Sequence, residues 1–229
     1  KVVESYPGDK DGGHESGQHG MAGIITTEDR FRTGKAYTIR QAADLARVSP
    51  GTVRNWLYGS RTAYGYEMEP VFGTKEKPEE VARVSFLELS EVIVAARFRR
   101  LRIKLQRIRD AHDFARNEWN VAYPFAHLDL TSIGGHILRR FEEAKPGPGH
   151  FVVLSAPGQY VLHQLVQQEL ARFDYSDEDK FATRWHPYGR EIPVVVDPRF
   201  AGGKPTISGR GVSVEILRKR WKAGESVTS

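Results

Sequence analysis

Residues 37–58 have the sequence YTIRQAADLARVSPGTVRNWLY, and this stretch decides the fold of the N-terminal half. Its apolar side chains recur at helical spacing on both sides of a short break at Arg47-Val48-Ser49. Thr38 is a suitable N-cap for the first helix, and Ser49 for the second, with Pro50 at the first helical position, where proline is tolerated. The pattern predicts two short helices joined by a tight turn, and Tyr58-Gly59-Ser60 ends the second helix.

The second of these helices begins with short polar and basic side chains. A DNA-reading helix needs this arrangement, because such side chains reach base edges in the major groove. Arginine and asparagine also have the bidentate geometry that recognises guanine and adenine. The alternative is an amphipathic helical hairpin whose polar groups are only solvated. The predicted DNA contacts in and around the two helices are Arg40, Ser49, Thr52, Arg54, Asn55, Tyr58 and Arg61.

A basic run lies between Arg97 and Arg109, with seven cations in thirteen positions and no acidic residue. One interpretation is contact with DNA phosphates, and the other is a solvated face whose arginine stems cover the core. Two further helices are predicted here, at residues 86–100 and 104–119. Because Arg99, Arg100 and Arg102 surround the turn between them, these three are the predicted contacts to the DNA backbone.

The string from Tyr37 to Leu57 resembles the opening of MerR-type transcription regulators, which begin with an aromatic-Thr-Ile strand followed by the two helices. Residues 85–89 and 100–109 match the second helix pair of the same family, so the resemblance covers residues 37–116. The segment between the first and the second helix pair would be the wing. The resemblance implies a winged helix-turn-helix that binds double-stranded DNA, and a palindromic site implies a homodimer.

The sequence departs from that family at several points. Family members usually have glycine near Arg102, and the wing here is longer than is typical. The long dimerising helix and the sensor residues of effector-responsive members are not evident. The resemblance therefore implies the DNA-binding fold without effector sensing.

A second distinctive stretch, residues 194–217, has the sequence VVVDPRFAGGKPTISGRGVSVEIL. It predicts a strand over 192–196, glycine-rich turns with a short hairpin, and a helix over 214–222. The stretch is similar to a small domain of unknown function found in VapB-type antitoxins. That domain has Asp-Pro, then Gly-Lys-Pro-x-Ile-x-Gly-x-Arg, then a helix ending in Ala-Gly-Glu-Ser. Here Arg210-Gly211 stand in the reverse of the usual order, and the second helix-turn-helix expected after the helix does not follow.

This resemblance implies a partner and a set of contacts. The partner is a VapC-type PIN-domain ribonuclease, an acidic enzyme that depends on Mg²⁺. Antitoxins of this type often insert a basic side chain among the toxin's carboxylates. For each basic residue considered, the alternative is that it lies at the edge of a turn without contacting a partner. The toxin-binding candidates are Arg199, Lys204, Arg210 and Arg218.

The segments together predict an α+β protein in four parts. Residues 1–20 are expected to be a disordered leader or tag, with Met21 as a natural start, and residues 21–120 form the winged-helix DNA-binding domain. Residues 121–190 form a small α/β region of unknown role, with strands at 127–131, 136–141 and 151–154. Residues 191–229 form the C-terminal hairpin and helix, a module expected to be incomplete.

Composition narrows the class of function. The formal net charge of +5 permits nucleic-acid binding without indicating it. The absence of cysteine excludes disulfides, thiolate zinc sites and cysteine nucleophiles. No apolar run reaches about 18 residues and the N-terminus is polar, so a cytoplasmic protein is expected.

No catalytic residue, metal site or cofactor is predicted, so the chain is not expected to be an enzyme. None of the eight histidines has ligand spacing such as His-x-x-Glu-His. His127 and Asp129 are expected to be structural. The acidic residues between Asp174 and Asp179 are expected to be solvated and not to bind Mg²⁺.

Three functions remain open at this point. The first is an antitoxin of a type II toxin–antitoxin system that inhibits a VapC-type ribonuclease and represses its own promoter. The second is a stand-alone MerR-like regulator with a ligand-sensing C-terminal half, which predicts a pocket within residues 121–196. The third is a metal-dependent nuclease.

Overall fold

The computed structural model of the chain describes residues 27–72, 82–128, 130 and 167–225. These residues form an α+β structure of short helices and two-stranded sheets. The helices are α1 (Thr27–Thr33), α2 (Ile39–Ala46), α3 (Pro50–Tyr58), α4 (Phe86–Arg100), α5 (Leu105–Trp119) and α6 (Val214–Lys222). The strands are β1 (Tyr37–Thr38), β2 (Ser60–Arg61), β3 (Glu67–Met68), β4 (Arg83–Val84), β5 (Phe173–Tyr175), β6 (Ala182–Trp185), β7 (Val194–Val195) and β8 (Thr206–Ile207).

The predicted helix-turn-helix is confirmed, with both helices capped as the sequence indicates. The Thr38 hydroxyl accepts from the Gln41 amide at 3.2 Å, and the Gln41 side chain accepts from the Thr38 amide at 2.9 Å, which completes a capping box. Ser49 caps α3 by accepting from the Thr52 amide at 3.0 Å. Arg47 ends α2 in the left-handed conformation, with φ 56°, and this makes the turn tight.

Two small antiparallel sheets frame the motif. β1 pairs with β4, so that the strand entering α2 lies beside the strand entering α4. β2 pairs with β3 to form the wing. The segment after the wing is hydrogen-bonded to α3. The Val71 and Phe72 amides both donate to the Trp56 carbonyl, at 2.8 and 3.1 Å.

The second helix pair lies where the sequence predicts it. α4 is buried along nearly all its length and begins with a capping box between Ser85 and Glu88. At the turn into α5, Arg102 has φ 64°. This left-handed backbone is easiest for glycine, so the arginine at this position is held there by the surrounding turn.

One core joins the N-terminal and C-terminal halves. Buried residues from Tyr37 on β1 to Val196 after β7 belong to a single hydrophobic cluster. Trp185 on β6 exchanges backbone hydrogen bonds with Val196 at 2.9 and 2.8 Å, which links the β5–β6 hairpin to the β7–β8 hairpin. The domain boundaries predicted at residues 120 and 190 stay a prediction. Buried residues on both sides of each boundary belong to this one cluster.

The middle region differs from the sequence prediction. The strand predicted at 127–131 is wrong where the structure describes it: His127 makes only an isolated bridge to Phe181, and residue 130 is helical. A 3-10 turn at Pro124–Ala126 directs the chain inward, and the His127 ring packs against Phe181 with centroids 5.0 Å apart. The predicted strands at 136–141 and 151–154 lie outside the described residues, as do residues 1–20.

The acidic residues of the β5–β6 hairpin are not all solvated, contrary to the prediction. Asp174 lies 2.7 Å from Arg190 and 3.1 Å from His186, and these partners lower the pKa of its carboxyl against the opposing effect of burial. Asp179 accepts from the nearly buried Arg32 of α1 at 2.9 and 2.6 Å. The cations come from α1 and from the residues just after β6, and the sequence pattern did not reveal these pairs.

The approach of Gly203 to Tyr37 gives a first prediction. A Cβ at Gly203 would lie 2.1 Å from the Tyr37 hydroxyl oxygen, whereas a Cβ at Gly202 would have nothing within 4 Å. Both glycines have positive φ, 76° and 61°. Gly202→Ala should therefore cost about 1–2 kcal/mol of backbone strain alone. Gly203→Ala should cost about 1–3 kcal/mol more through the clash. Urea unfolding of the two variants measures the difference, and equal losses would contradict the close packing.

The buried His112–Glu91 pair gives a second prediction. Burial alone would lower the pKa of His112, but the Glu91 carboxylate, 3.0 Å from Nε2, together with the Asp113 carboxylate outweighs it and raises the pKa to about 9. The pair's contribution to stability is therefore complete below the unfolded pKa of about 6.5 and is lost as pH rises through about 9. Glu91→Gln keeps an acceptor for the Phe125 amide but removes the charge. Thermal unfolding from pH 6 to 10 should show a smaller alkaline fall in Tm for this variant than for the wild type; identical falls would contradict the assignment.

Candidate nucleic-acid interface

Helix α3 buries one face and leaves the other open to solvent. Val53, Trp56 and Leu57 are buried, and Trp56 packs edge-on against Phe72 with centroids 6.1 Å apart. Arg54 and Asn55 lie on the exposed face, and neither side chain is hydrogen-bonded to any residue that the structure describes. The capped N-terminus and the buried face hold α3 rigidly, so that these two side chains are free to bind a ligand outside the chain.

The two hydroxyls at the start of α3 are engaged with each other. The Ser49 and Thr52 hydroxyl oxygens are 2.8 Å apart, and Ser49 also accepts from the Thr52 amide. Both residues are solvent-accessible. Their first role is therefore to cap α3, and only the remaining hydrogen-bonding capacity of each hydroxyl is available for DNA.

The other predicted contacts around the motif have partners within the chain. Arg40 is exposed and lies 3.4 Å from Asp44 on the next turn of α2. The Tyr58 hydroxyl donates to the Arg83 carbonyl at 3.4 Å, and burial together with Glu88 raises the pKa of Tyr58. Arg61 pairs across the wing with Glu67 at 3.1 Å. Surface pairs of this kind are weak, so they leave Arg40 and Arg61 able to turn to a phosphate.

The basic run does not form one solvated face. Arg99 donates to the Ile103 carbonyl at 2.6 Å and so closes the α4–α5 turn. Arg100 donates to the Ala46 carbonyl at 3.1 Å, at the C-terminal end of α2. Arg107 is buried, and Arg109 donates to the Glu69 and Pro70 carbonyls after the wing, at 2.7 and 2.9 Å. Arg102 is exposed, with no hydrogen bond from its guanidinium to the described residues.

The wing carries two exposed aromatic side chains that the sequence reasoning did not propose as contacts. Tyr64 and Tyr66 lie at the tip of the β2–β3 hairpin and are 89% and 73% exposed. At these exposures the two rings cover little apolar surface of the residues that the structure describes. Two aromatic residues flanking Gly65 in a short turn are the signal that could have indicated an exposed contact surface.

The four C-terminal candidates have different surroundings. Arg199 makes a bidentate pair with Asp197 at 3.0 and 2.7 Å, and Asp197 is buried and also accepts from Arg184 at 3.1 Å. Lys204 lies 3.2 Å from Glu215. Arg210, in the turn after β8, and Arg218, on α6, are exposed with no ion pair to the described part of the chain. Arg210 and Arg218 are therefore the two candidates whose charges are unneutralised locally.

Helix α6 is exposed along its whole length. None of its residues is buried, although it carries large apolar side chains: Ile216 is 52%, Leu217 41% and Trp221 68% exposed. Four cations lie on the same helix, namely Arg218, Lys219, Arg220 and Lys222. A helix with this composition and no buried face presents an apolar and basic surface that is typical of an interaction site.

Neither a metal site nor a membrane span is found in the described part of the chain. No group of three or more His, Asp or Glu side chains there could hold a metal ion. No helix among the residues described is both long enough and apolar enough to cross a bilayer.

Comparison with known proteins identifies relatives of both halves. Residues 35–112 match the family described as "Putative DNA-binding HTH domain", and residues 194–229 match DUF433, a protein family of unknown function. The chain is 30% identical over 222 residues to "Putative antitoxin VapB45" of Mycobacterium tuberculosis (strain ATCC 25618 / H37Rv), with 89% of each chain covered.

A solved structure also resembles this fold. The crystal structure of Rv2018 from Mycobacterium tuberculosis superimposes with a TM-score of 0.64 at 25% sequence identity. The superposition covers 84% of this chain and 88% of that one. It supports the α+β fold with its N-terminal helix-turn-helix.

Proposed function

Because the chain belongs to the family of VapB-type antitoxins, we propose that it is the antitoxin of a type II toxin–antitoxin pair. In this proposal it binds and inhibits a VapC-type PIN-domain ribonuclease in the cytoplasm and represses its own promoter. It acts as a binding protein and not as an enzyme. The observation that carries the DNA-binding part is the rigid, capped helix α3, whose Arg54 and Asn55 side chains face solvent without partners in the described chain.

The proposed interface with DNA separates base contacts from phosphate contacts. Arg54 and Asn55 contact base edges in the major groove, since their side chains can form bidentate pairs with guanine and adenine. Arg40, Arg61 and Arg102 contact phosphates, because their exposed guanidiniums have at most weak surface partners. Arg99 and Arg100 contribute mainly by holding the two helix turns in place.

A homodimer is part of the proposal, for a geometric reason. One recognition helix reads only a few base pairs, which gives too little affinity and discrimination for a promoter site. Two copies related by a two-fold axis place two α3 helices in successive major grooves, one helical turn of DNA apart. The operator is therefore expected to be an inverted repeat.

The toxin contact is assigned to the C-terminal surface formed by α6 and the turn that precedes it. Arg210 and Arg218 have no local carboxylate partner among the described residues, and an acidic active site would supply one. The exposed Ile216, Leu217 and Trp221 supply the apolar area that a stable interface needs. Arg199 and Lys204 are weaker candidates. To bind a toxin carboxylate, Arg199 would have to give up its ion pair with Asp197, and Lys204 its ion pair with Glu215.

The DNA contacts give a third prediction. The measurement is a titration of the chain with the DNA fragment that lies upstream of the chain's gene. Arg54→Ala should weaken binding to this promoter fragment by about 1–3 kcal/mol and relax the base preference at one position. Arg102→Ala should instead weaken binding to all sequences alike and reduce the salt slope by about 1. Arg30→Ala, an exposed arginine of α1 away from the motif, is the matched control and should bind as the wild type does. Unchanged specificity in Arg54→Ala would contradict the base contact.

The toxin surface gives a fourth prediction. The proposed partner is a PIN-domain protein encoded by the gene next to that of this chain. When the two genes are co-expressed, the PIN-domain protein should co-purify with the chain and lose its ribonuclease activity. Arg210→Ala and Trp221→Ser should each weaken the complex by about 2 kcal/mol or more. Because both side chains are exposed, the variants should unfold at the wild-type temperature.

Two outcomes would count against this assignment. A PIN-domain neighbour that neither binds nor loses activity would overturn the antitoxin function. Binding that survives both substitutions would place the toxin on another surface. Arg30→Ala again serves as the control, with an unchanged complex expected.

A further inference from the structure

A cavity of about 360 Å³ lies between the helix-turn-helix and the C-terminal half. One wall is the C-terminal end of α2 with the turn to α3, from Asp44 to Arg47. A second wall is α4, through Ile93, Arg97 and Arg100, and a third is formed around the β5–β6 hairpin. Its volume is in the range of small-molecule sites, which starts at about 300 Å³.

Positive charge dominates the lining. Four arginines contribute to it, namely Arg47, Arg97, Arg100 and Arg172, against two acidic residues, Asp44 and Glu169. Asp44 is already paired with Arg40. Burial lowers the pKa of Arg100, and the nearby Arg97, Arg47 and Arg172 lower it further, while only Glu169 raises it. The cavity therefore concentrates cations from three elements with too few carboxylates to neutralise them.

Two hydrogen-bond donors that line the cavity have no partner within the described residues. Trp185 is 4% exposed, and its buried indole Nε1 donates to no described atom. The Arg97 Nε is also buried and unpartnered, since the Glu169 carboxylate oxygen is 4.0 Å away, beyond hydrogen-bonding distance. Leaving a buried donor unpaired is unfavourable. Both atoms are closed to solvent, so a bound acceptor would pair with them only after a side-chain movement.

We propose that this cavity binds a small phosphate-bearing anion of nucleoside-monophosphate size. A tetrahedral phosphate can accept from donors that converge from several directions, and guanidinium groups suit it better than any other side chain. Trp185 and Tyr188 line the same cavity, and the Tyr188 ring is exposed, so that a base could stack on it. The anion would bridge the turn that leads into α3 and the C-terminal half.

The same chemistry could come from a DNA phosphodiester, because Arg100 lies in the basic run. The structure favours the small anion. The site is a cavity with walls on three elements, which a free phosphate can enter, whereas a duplex backbone would have to leave its helical path to do so. Arg100 is also fixed by the Ala46 carbonyl, on the wall that the cavity shares with α2.

Calorimetric titration with AMP and with inorganic phosphate, at constant ionic strength and without DNA, tests the proposal. AMP should bind at one site per chain, more tightly than phosphate, and raise Tm. Arg47→Asn keeps a residue that tolerates the left-handed backbone at this position. Arg172→Gln keeps a donor for the Pro187 carbonyl. Each should weaken AMP binding about tenfold or more, while Arg30→Gln should leave it unchanged.

Three results would overturn the proposal. The first is that millimolar AMP and phosphate produce neither heat nor a change in Tm. The second is that AMP binds Arg47→Asn and Arg172→Gln as tightly as the wild type, which would place it elsewhere. The third is that AMP does not bind and both variants lose affinity for the promoter fragment, which would make the cavity a site for the DNA backbone. The first two are independent of whether the chain binds DNA.

Discussion

The ring of Tyr37 packs against the backbone of Gly203, so closely that no side chain could stand at position 203. This contact joins the first strand of the helix-turn-helix unit to the turn that follows β7. Around it the strands from β5 to β8 are linked through the Trp185–Val196 bridge, and their apolar residues complete the core under α4. Tyr37, which precedes the helix-turn-helix, is thereby packed against the turn that leads to β8 and α6.

The arginines show how one residue type serves several physical roles in this chain. Some, such as Arg32 and Arg109, hold elements together through carboxylates and carbonyls. Arg54 and Arg102 face solvent and are proposed to bind DNA. Arg97 and Arg172 line the cavity with their charges only partly neutralised. Counting basic residues in the sequence could not separate these roles, because the separation depends on which carbonyls and carboxylates the fold brings near.

Local signals predicted much of the fold. Thr38 and Ser49 cap helices by bonding to residues three positions away, so the sequence indicates these caps directly. The β5–β6 hairpin was missed, because it is held by pairs such as Arg32–Asp179 that are distant in sequence. The regulator alternative placed a pocket within residues 121–196, but the sequence could not group the cavity's arginines, which come from the end of α2, from α4 and from the segment before β5. Only tertiary packing brings them together.

Site-specific photocrosslinking tests most directly the proposal that DNA binds at α3 and the toxin binds at the separate surface formed by α6 and the turn before it. A photoreactive side chain is placed at position 55 on α3 or at position 210 before α6, and each protein is irradiated with the promoter fragment and the PIN-domain protein both present. We expect position 55 to crosslink to DNA alone and position 210 to the PIN-domain protein alone. Crosslinks from position 55 to the protein, or from position 210 to DNA, would contradict it.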